Sequence, residues 1–121
     1  MKLEFSKYTD ITKFAKTINP TMFDIYEKVY ICPDTLNWWL AVIQKGVNED
    51  YEEDEDMYLV ERDKIDYPNY SKCNDRFLNP NVVRSVLEKW DGSTWDNQEA
   101  DDLDEAIQIV DGGYGIIPEE D

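Results

Sequence analysis

Leu36-Asn37-Trp38-Trp39-Leu40-Ala41-Val42-Ile43-Gln44 admits two readings, and the choice between them decides how the first half of the chain is built. Leu36, Trp39, Leu40 and Ile43 keep helical spacing, with Asp34 placed to cap the start and Gly46 to stop the end. The run from Trp38 to Ile43 also suits a buried strand, paired across a turn with Val29-Tyr30-Ile31. Periodicity alone does not separate the two in so short an apolar run. The cap and stop signals favour the helix.

Upstream, Leu3 and Phe5 alternate weakly and suggest a short strand over residues 1–6. Ile11, Phe14, Ala15 and Ile18 then fall at i, i+3, i+4 and i+7, an amphipathic helix that Thr9 or Asp10 can cap. Asn19-Pro20 ends it and opens a second helical segment, because proline suits a first turn. Met22, Phe23, Tyr26, Val29 and Tyr30 give that segment a broad apolar face.

Downstream, Met57 to Ile65 alternates as a strand, with Tyr58 and Val60 on one face and Met57 and Leu59 on the other. Residues 66–80 read as an aromatic loop. Asn79-Pro80 starts a helix whose stripe is Val82, Val83, Val86, Leu87 and Trp90, closed by Gly92. A last helical region begins around Ser93 to Asp96, buries Leu103, Ala106, Ile107 and Val110, and stops at Gly112-Gly113. The expected architecture is α+β: three or four helices packed on a small antiparallel sheet, forming one compact domain over residues 1–121.

Charge is the most unusual property of the chain. It carries 28 acids against 12 bases, a net of −16. Residues 1–47 are net +1 and residues 48–121 are net −17. Glu49, Asp50, Glu52, Glu53, Asp54, Glu55 and Asp56 crowd into one stretch with Tyr51 among them, an acidic loop or lead-in to the next strand. Asp96, Glu99, Asp101, Asp102, Asp104 and Glu105 form a second tract with no base, and residues 118–121 end in an acidic tail. Such a balance opposes direct binding to nucleic acid or to an anionic membrane and favours a basic partner. Aromatic content of 13% argues against a disordered acidic coil.

Several chemistries are disfavoured by residue type. There is no histidine, so no Ser-His-Asp or Cys-His pair exists. A carboxylate acid–base pair would need one carboxyl in an apolar pocket, and 28 acids nominate no pair. Cys32 and Cys73 without histidine make no zinc cluster. Asp91-Gly92-Ser93-Thr94-Trp95-Asp96 lacks the ligand order of a calcium loop. Gly112-Gly113-Tyr114-Gly115 follows a helix and has no Lys-Ser/Thr after it, so it reads as a helix stop and not a phosphate loop. No catalytic, metal or cofactor site is therefore expected. Met1-Lys2-Leu3-Glu4 leads into no apolar run, and no run reaches the roughly 20 residues that span a bilayer, which together suggest a cytoplasmic protein.

Same-side carboxylates on an extended acidic run sit roughly 6.6 Å apart. Duplex DNA carries one charge per about 1.7 Å of axis on a rigid frame. Two carboxylate tracts on one scaffold can imitate it, because Lys and Arg pair with carboxylates as they do with phosphates. The plainer alternative for each tract is a solvated loop and the wet face of a helix. Trp38, Trp39, Tyr51, Tyr67, Tyr70 and Trp95 are more aromatics than a small core easily buries, and Tyr51 and Trp95 stand beside the acidic tracts as candidate anchors.

In size, charge and missing catalytic groups the chain resembles the small acidic inhibitors encoded by phages and mobile elements: DNA-mimicking anti-restriction proteins, anti-CRISPR proteins and uracil-DNA glycosylase inhibitors. The resemblance rests on the stretches 49–56 and 96–105 and implies no particular fold. It implies a non-enzymatic inhibitor whose partner is a basic nucleic-acid-binding protein, contacted through those acids with Tyr51 and Trp95. A homodimer is compatible with it. An immunity or antitoxin protein directed at a basic nuclease, or an acidic adapter without mimicry, fits the same residues.

Overall fold

The computed structural model describes residues 3–4, 8–33, 38–46, 57–65, 77–93 and 96–111. In chain order the elements are β1 (Leu3–Glu4), β2 (Thr9–Asp10), α1 (Thr12–Ile18), α2 (Pro20–Phe23), β3 (Lys28–Pro33), β4 (Trp38–Gly46), β5 (Met57–Ile65), β6 (Phe77–Leu78), α3 (Pro80–Lys89), β7 (Asp96–Ala100) and α4 (Leu103–Asp111). Five of the strands form one antiparallel sheet in the order β2-β3-β4-β5-β7. β1 and β6 form a separate two-stranded pair. Helices and an antiparallel sheet in one unit are the α+β architecture that the periodicity predicts.

Trp38 to Gly46 form β4, the middle strand of the sheet. Leu40 lies opposite Ile31, Ala41 opposite Tyr30 and Val42 opposite Val29. The helix favoured by Asp34 and Gly46 is therefore overturned in favour of the strand. Its continuous apolarity has a simple cause: both faces of β4 are covered. Trp38, Leu40 and Val42 join a core with Ile11, Ala15, Phe23, Val83, Val86 and Leu87 from the α1, α2 and α3 side. Ala41 and Ile43 join a second core with Ala106 and Val110 of α4. A strand buried on both faces loses the alternation that would mark it as a strand.

Two further expectations change. The second helix stops at Phe23 and does not run on to Tyr30. Asn19 accepts from the Met22 N–H and Pro20 opens the turn, as the sequence suggests, but Lys28 to Pro33 then pair with β4. Val29, Tyr30 and Ile31 are β-branched or aromatic, so they gain more in a two-sided sheet than in a helix. The region from Ser93 is not helical at its start either. Asp96 to Ala100 form the edge strand β7, and α4 begins only at Leu103. Asp-Asn-Gln-Glu is poor strand sequence, so pairing with β5 overrides local preference here.

Smaller differences are local. Thr9 and Asp10 pair as β2, and Phe77-Leu78 leave the expected loop to pair with Leu3-Glu4. α1 starts two residues after Asp10, whose Oδ1 accepts from the Thr12 N–H at 2.9 Å and from the Thr12 hydroxyl at 2.5 Å. Desolvation pushes the Asp10 carboxyl up, but the two Thr12 bonds and Lys28, at 3.4 Å, together bring it below the usual aspartate range. Asn79 caps α3 by accepting from the Asn81 N–H, and Val83, Val86 and Leu87 are buried as the stripe predicts. Trp38 is buried and Trp39 half-buried, so neither is an exposed anchor. Gly112-Gly113, the acidic tail, Tyr67 and Tyr70 lie outside the described residues.

Candidate functional site

The candidate surface grows from the end of the sheet where β5 begins and β7 finishes. Gly46, the last residue of β4, is the register partner of Met57, the first of β5. Tyr58 is the partner of Ala100, the last residue of β7, and Asp101 follows at once. Residues 47–56 join Gly46 to Met57. The two attachment points of the seven-carboxylate run and the bend Asp101-Asp102 therefore share one end of the sheet. Glu49, Asp50, Tyr51, Glu52, Glu53, Asp54, Glu55 and Asp56 themselves lie outside the described residues, as does Trp95.

The second tract is a strand, a bend and a capped helix start, not one helical face. Asp96 is the cross-strand partner of Arg62, and Glu99 of Leu59. Glu99 is exposed, with Asn97 two residues before it on the same face. Asp101, Asp102, Asp104 and Glu105 are all exposed. Asp102 caps α4: its Oδ1 accepts from the Glu105 N–H at 2.8 Å, and its carbonyl accepts the first helical bond, from Ala106, at 3.0 Å. Glu105 Oε1 reaches back to accept from the Asp101 N–H at 3.1 Å. This is a variant of the capping box, with Glu at the third helical position accepting from the residue before the cap instead of from the cap itself. Asp104 and Glu105 in the first turn also complement the positive end of the helix dipole.

Five of the six acids of this tract thus divide by task. Asp102 and Glu105 serve the fold. The side chains of Glu99, Asp101 and Asp104 point charge at solvent with no salt bridge to a described base. No lysine or arginine follows Lys89, so β7 and α4 carry no base of their own. The opposite edge of the sheet differs. There an open cavity of about 480 Å³ is lined by Asp10, Ile11, Thr12, Lys13, Phe14 and Lys28.

Sequence reasoning missed two groups. Asn97 went unnoticed because the region read as helix, where it would not share a face with Glu99. Arg62 and Asp63 went unnoticed because burial of charge has no signature in composition. Both are buried, at 2% and 6% exposure, on opposite faces of β5. Desolvation, with the charge of Asp91 adding, pushes the Asp63 carboxyl above the usual range, while the Trp90 indole and the Lys64 N–H offset part of this. Trp90 stacks on Phe23 with ring centres 5.6 Å apart and donates its indole N–H to the Ser93 carbonyl at 2.8 Å. Tyr26 completes the aromatic cluster, its phenol raised by burial and by the charge of Glu61.

Among the described residues no group of three or more Cys, Asp or Glu is arranged to hold a metal ion, and no helix is long and apolar enough to cross a membrane. No protein-family model, curated protein or solved structure matches this chain.

Proposed function

We propose that this chain is a non-enzymatic inhibitor that imitates nucleic acid and occupies the DNA- or RNA-binding cleft of a basic intracellular protein. A CRISPR effector, a restriction enzyme or a repair glycosylase has the required chemistry. One observation carries the reading. The acidic run is attached to the sheet at Gly46 and Met57, beside the end of β7, where Asp101 and the first turn of α4 present a second set of carboxylates. An acidic run anchored at that end of the sheet, beside a second set of carboxylates, would offer a groove of Lys and Arg what a duplex offers it. Opposite fields steer the encounter and make it sensitive to salt.

The contact residues follow from the division of tasks: Glu52, Glu53, Asp54, Glu99, Asp101 and Asp104, with Asp102 and Glu105 adding field from their capping positions. An immunity protein directed at a basic nuclease toxin would use the same surface. The test is a pull-down from lysate at low and high salt, followed by competition between this chain and duplex DNA for each captured protein. The reading expects nucleic-acid-binding proteins that high salt releases and DNA displaces. Capture that salt leaves unchanged, or partners that DNA does not displace, would overturn it.

A further inference from the structure

Strand order leaves β7 at one edge of the five-stranded sheet, and among the described residues nothing pairs with its outer side. The other edge, β2, is only two residues long, whereas β7 has five. An open edge presents backbone N–H and C=O groups ready to pair with another chain, and proteins usually blunt it with charge. Here the charge is all of one sign. Asp96 and Glu99 lie in the strand, Asp101 and Asp102 follow it, and no base occurs anywhere after Lys89. A second copy at this edge would bring two segments of the same negative sign together, which repel. A strand bearing Lys and Arg meets the opposite situation.

The two faces of the edge ask different things of an incoming strand. On one, Asn97 and Glu99 are exposed. On the other, Ala100 is buried in a core with Ala106 and Val110 of α4, and half-buried Leu103 and Ile107 of α4 pack against that core. Side chains of an added strand alternate between these faces. Basic residues at every second position would lie beside Glu99, and apolar residues between them would turn towards the α4 side. We propose that the outer edge of β7 is a docking line for a basic extended strand of the partner, Lys or Arg alternating with apolar residues, held by backbone pairing as well as by charge. This rests on the inhibitor reading for the partner's nature. It adds the mode of contact: strand addition, in which main-chain bonds give affinity and alternate side chains give specificity.

The test uses the full chain, isotope-labelled, and three synthetic peptides of sequence Lys-Val-Arg-Val-Lys-Val-Arg. One is unmodified. The others carry backbone N-methyl groups on the odd or the even residues, which removes donors on one edge while keeping charge. The unmodified peptide is expected to bind and to slow hydrogen exchange at the amides of Asn97 to Glu99. One methylated peptide should bind roughly tenfold more weakly or worse, having lost several backbone bonds. Equal binding by all three, protection confined to other amides, or no binding by the unmodified peptide overturns strand addition. None of these results touches the inhibitor reading, which stands or falls on DNA competition for the captured partner.

Discussion

The backbone N–H of Glu105 donates to Oδ1 of Asp102 at 2.8 Å, and Glu105 Oε1 accepts from the Asp101 N–H at 3.1 Å. Two carboxylates that look in sequence like members of a charged patch are thus the cap of α4. The pairing makes a clear expectation. Asp102→Ala should lower the unfolding free energy by about 1 kcal/mol, and Asp102→Asn should retain most of it. Urea denaturation of the three proteins measures this. An alanine variant as stable as the parent would mean that the cap contributes nothing.

Where sequence was legible, one element buried one face. The stripes of α1, α3 and α4 and the two faces of β5 could be read because apolar and polar residues alternate at a fixed period. β4 was not legible, since Leu40 and Val42 face one helical layer while Ala41 and Ile43 face another. β7 was not legible for the opposite reason: Asn97, Gln98 and Glu99 have little strand preference, and only Leu59, Val60 and Glu61 across the ladder hold them extended. Of the candidate surface, sequence supplied the acids. It could not supply the convergence of their attachment points, which depends on β5 pairing with a strand some 40 residues later.

The central position of β4 predicts a heavy cost for truncating it. Leu40 is fully buried among α1, α3 and the flanking strands. Leu40→Ala should destabilise by about 2–5 kcal/mol through lost transfer energy and an unfilled cavity. Trp39→Phe, at a half-buried position on the other face, should cost much less. Thermal or chemical unfolding of both variants checks the contrast, and equal losses would contradict a two-sided strand.

Gly92 has φ +91, a left-handed conformation just after α3. Among the described residues, a Cβ there would meet only the Met22 methyl, at 3.7 Å, an ordinary contact, so the described neighbours leave it room. Gly92→Ala should therefore cost about 1–2 kcal/mol from backbone strain alone. Gly92→Asn should cost less, because asparagine tolerates this region better. If unfolding midpoints of the two variants match that of the parent, the turn does not constrain the chain.

Asp101 and Asp104, with Glu99, are the acids of the second tract whose side chains point at solvent. Asp101→Lys with Asp104→Lys should leave the protein folded, at a cost of about 0.3–1 kcal/mol for a cation in the first turn of α4. Binding to a basic partner should fall steeply, and its dependence on salt should flatten. Titration calorimetry at two ionic strengths against a partner recovered by pull-down reads both. A variant that binds as tightly as the parent would remove Asp101 and Asp104 from the contact surface.

Asp63 makes stability depend on pH in a direction opposite to most acids. The residue is 6% exposed, burial desolvates its carboxyl, Oδ1 has no hydrogen-bond partner among the described residues, and Asp91 adds like charge. The folded chain therefore holds this proton more tightly than the unfolded chain does. Well below the ordinary aspartate range both states are protonated and Asp63 is neutral in its effect. As pH rises through the unfolded value near 3.8, the unfolded chain ionises first and stability falls, until the folded carboxyl ionises as well and the loss becomes constant. Asp63→Asn abolishes this term. The gap in unfolding free energy between the variant and the parent should widen in favour of the variant as pH rises from about 3 towards 8, most steeply just above the ordinary aspartate value. Urea unfolding of both proteins at stepped pH measures the gap, and a constant gap across the range would show that the buried carboxyl does not titrate differently in the two states.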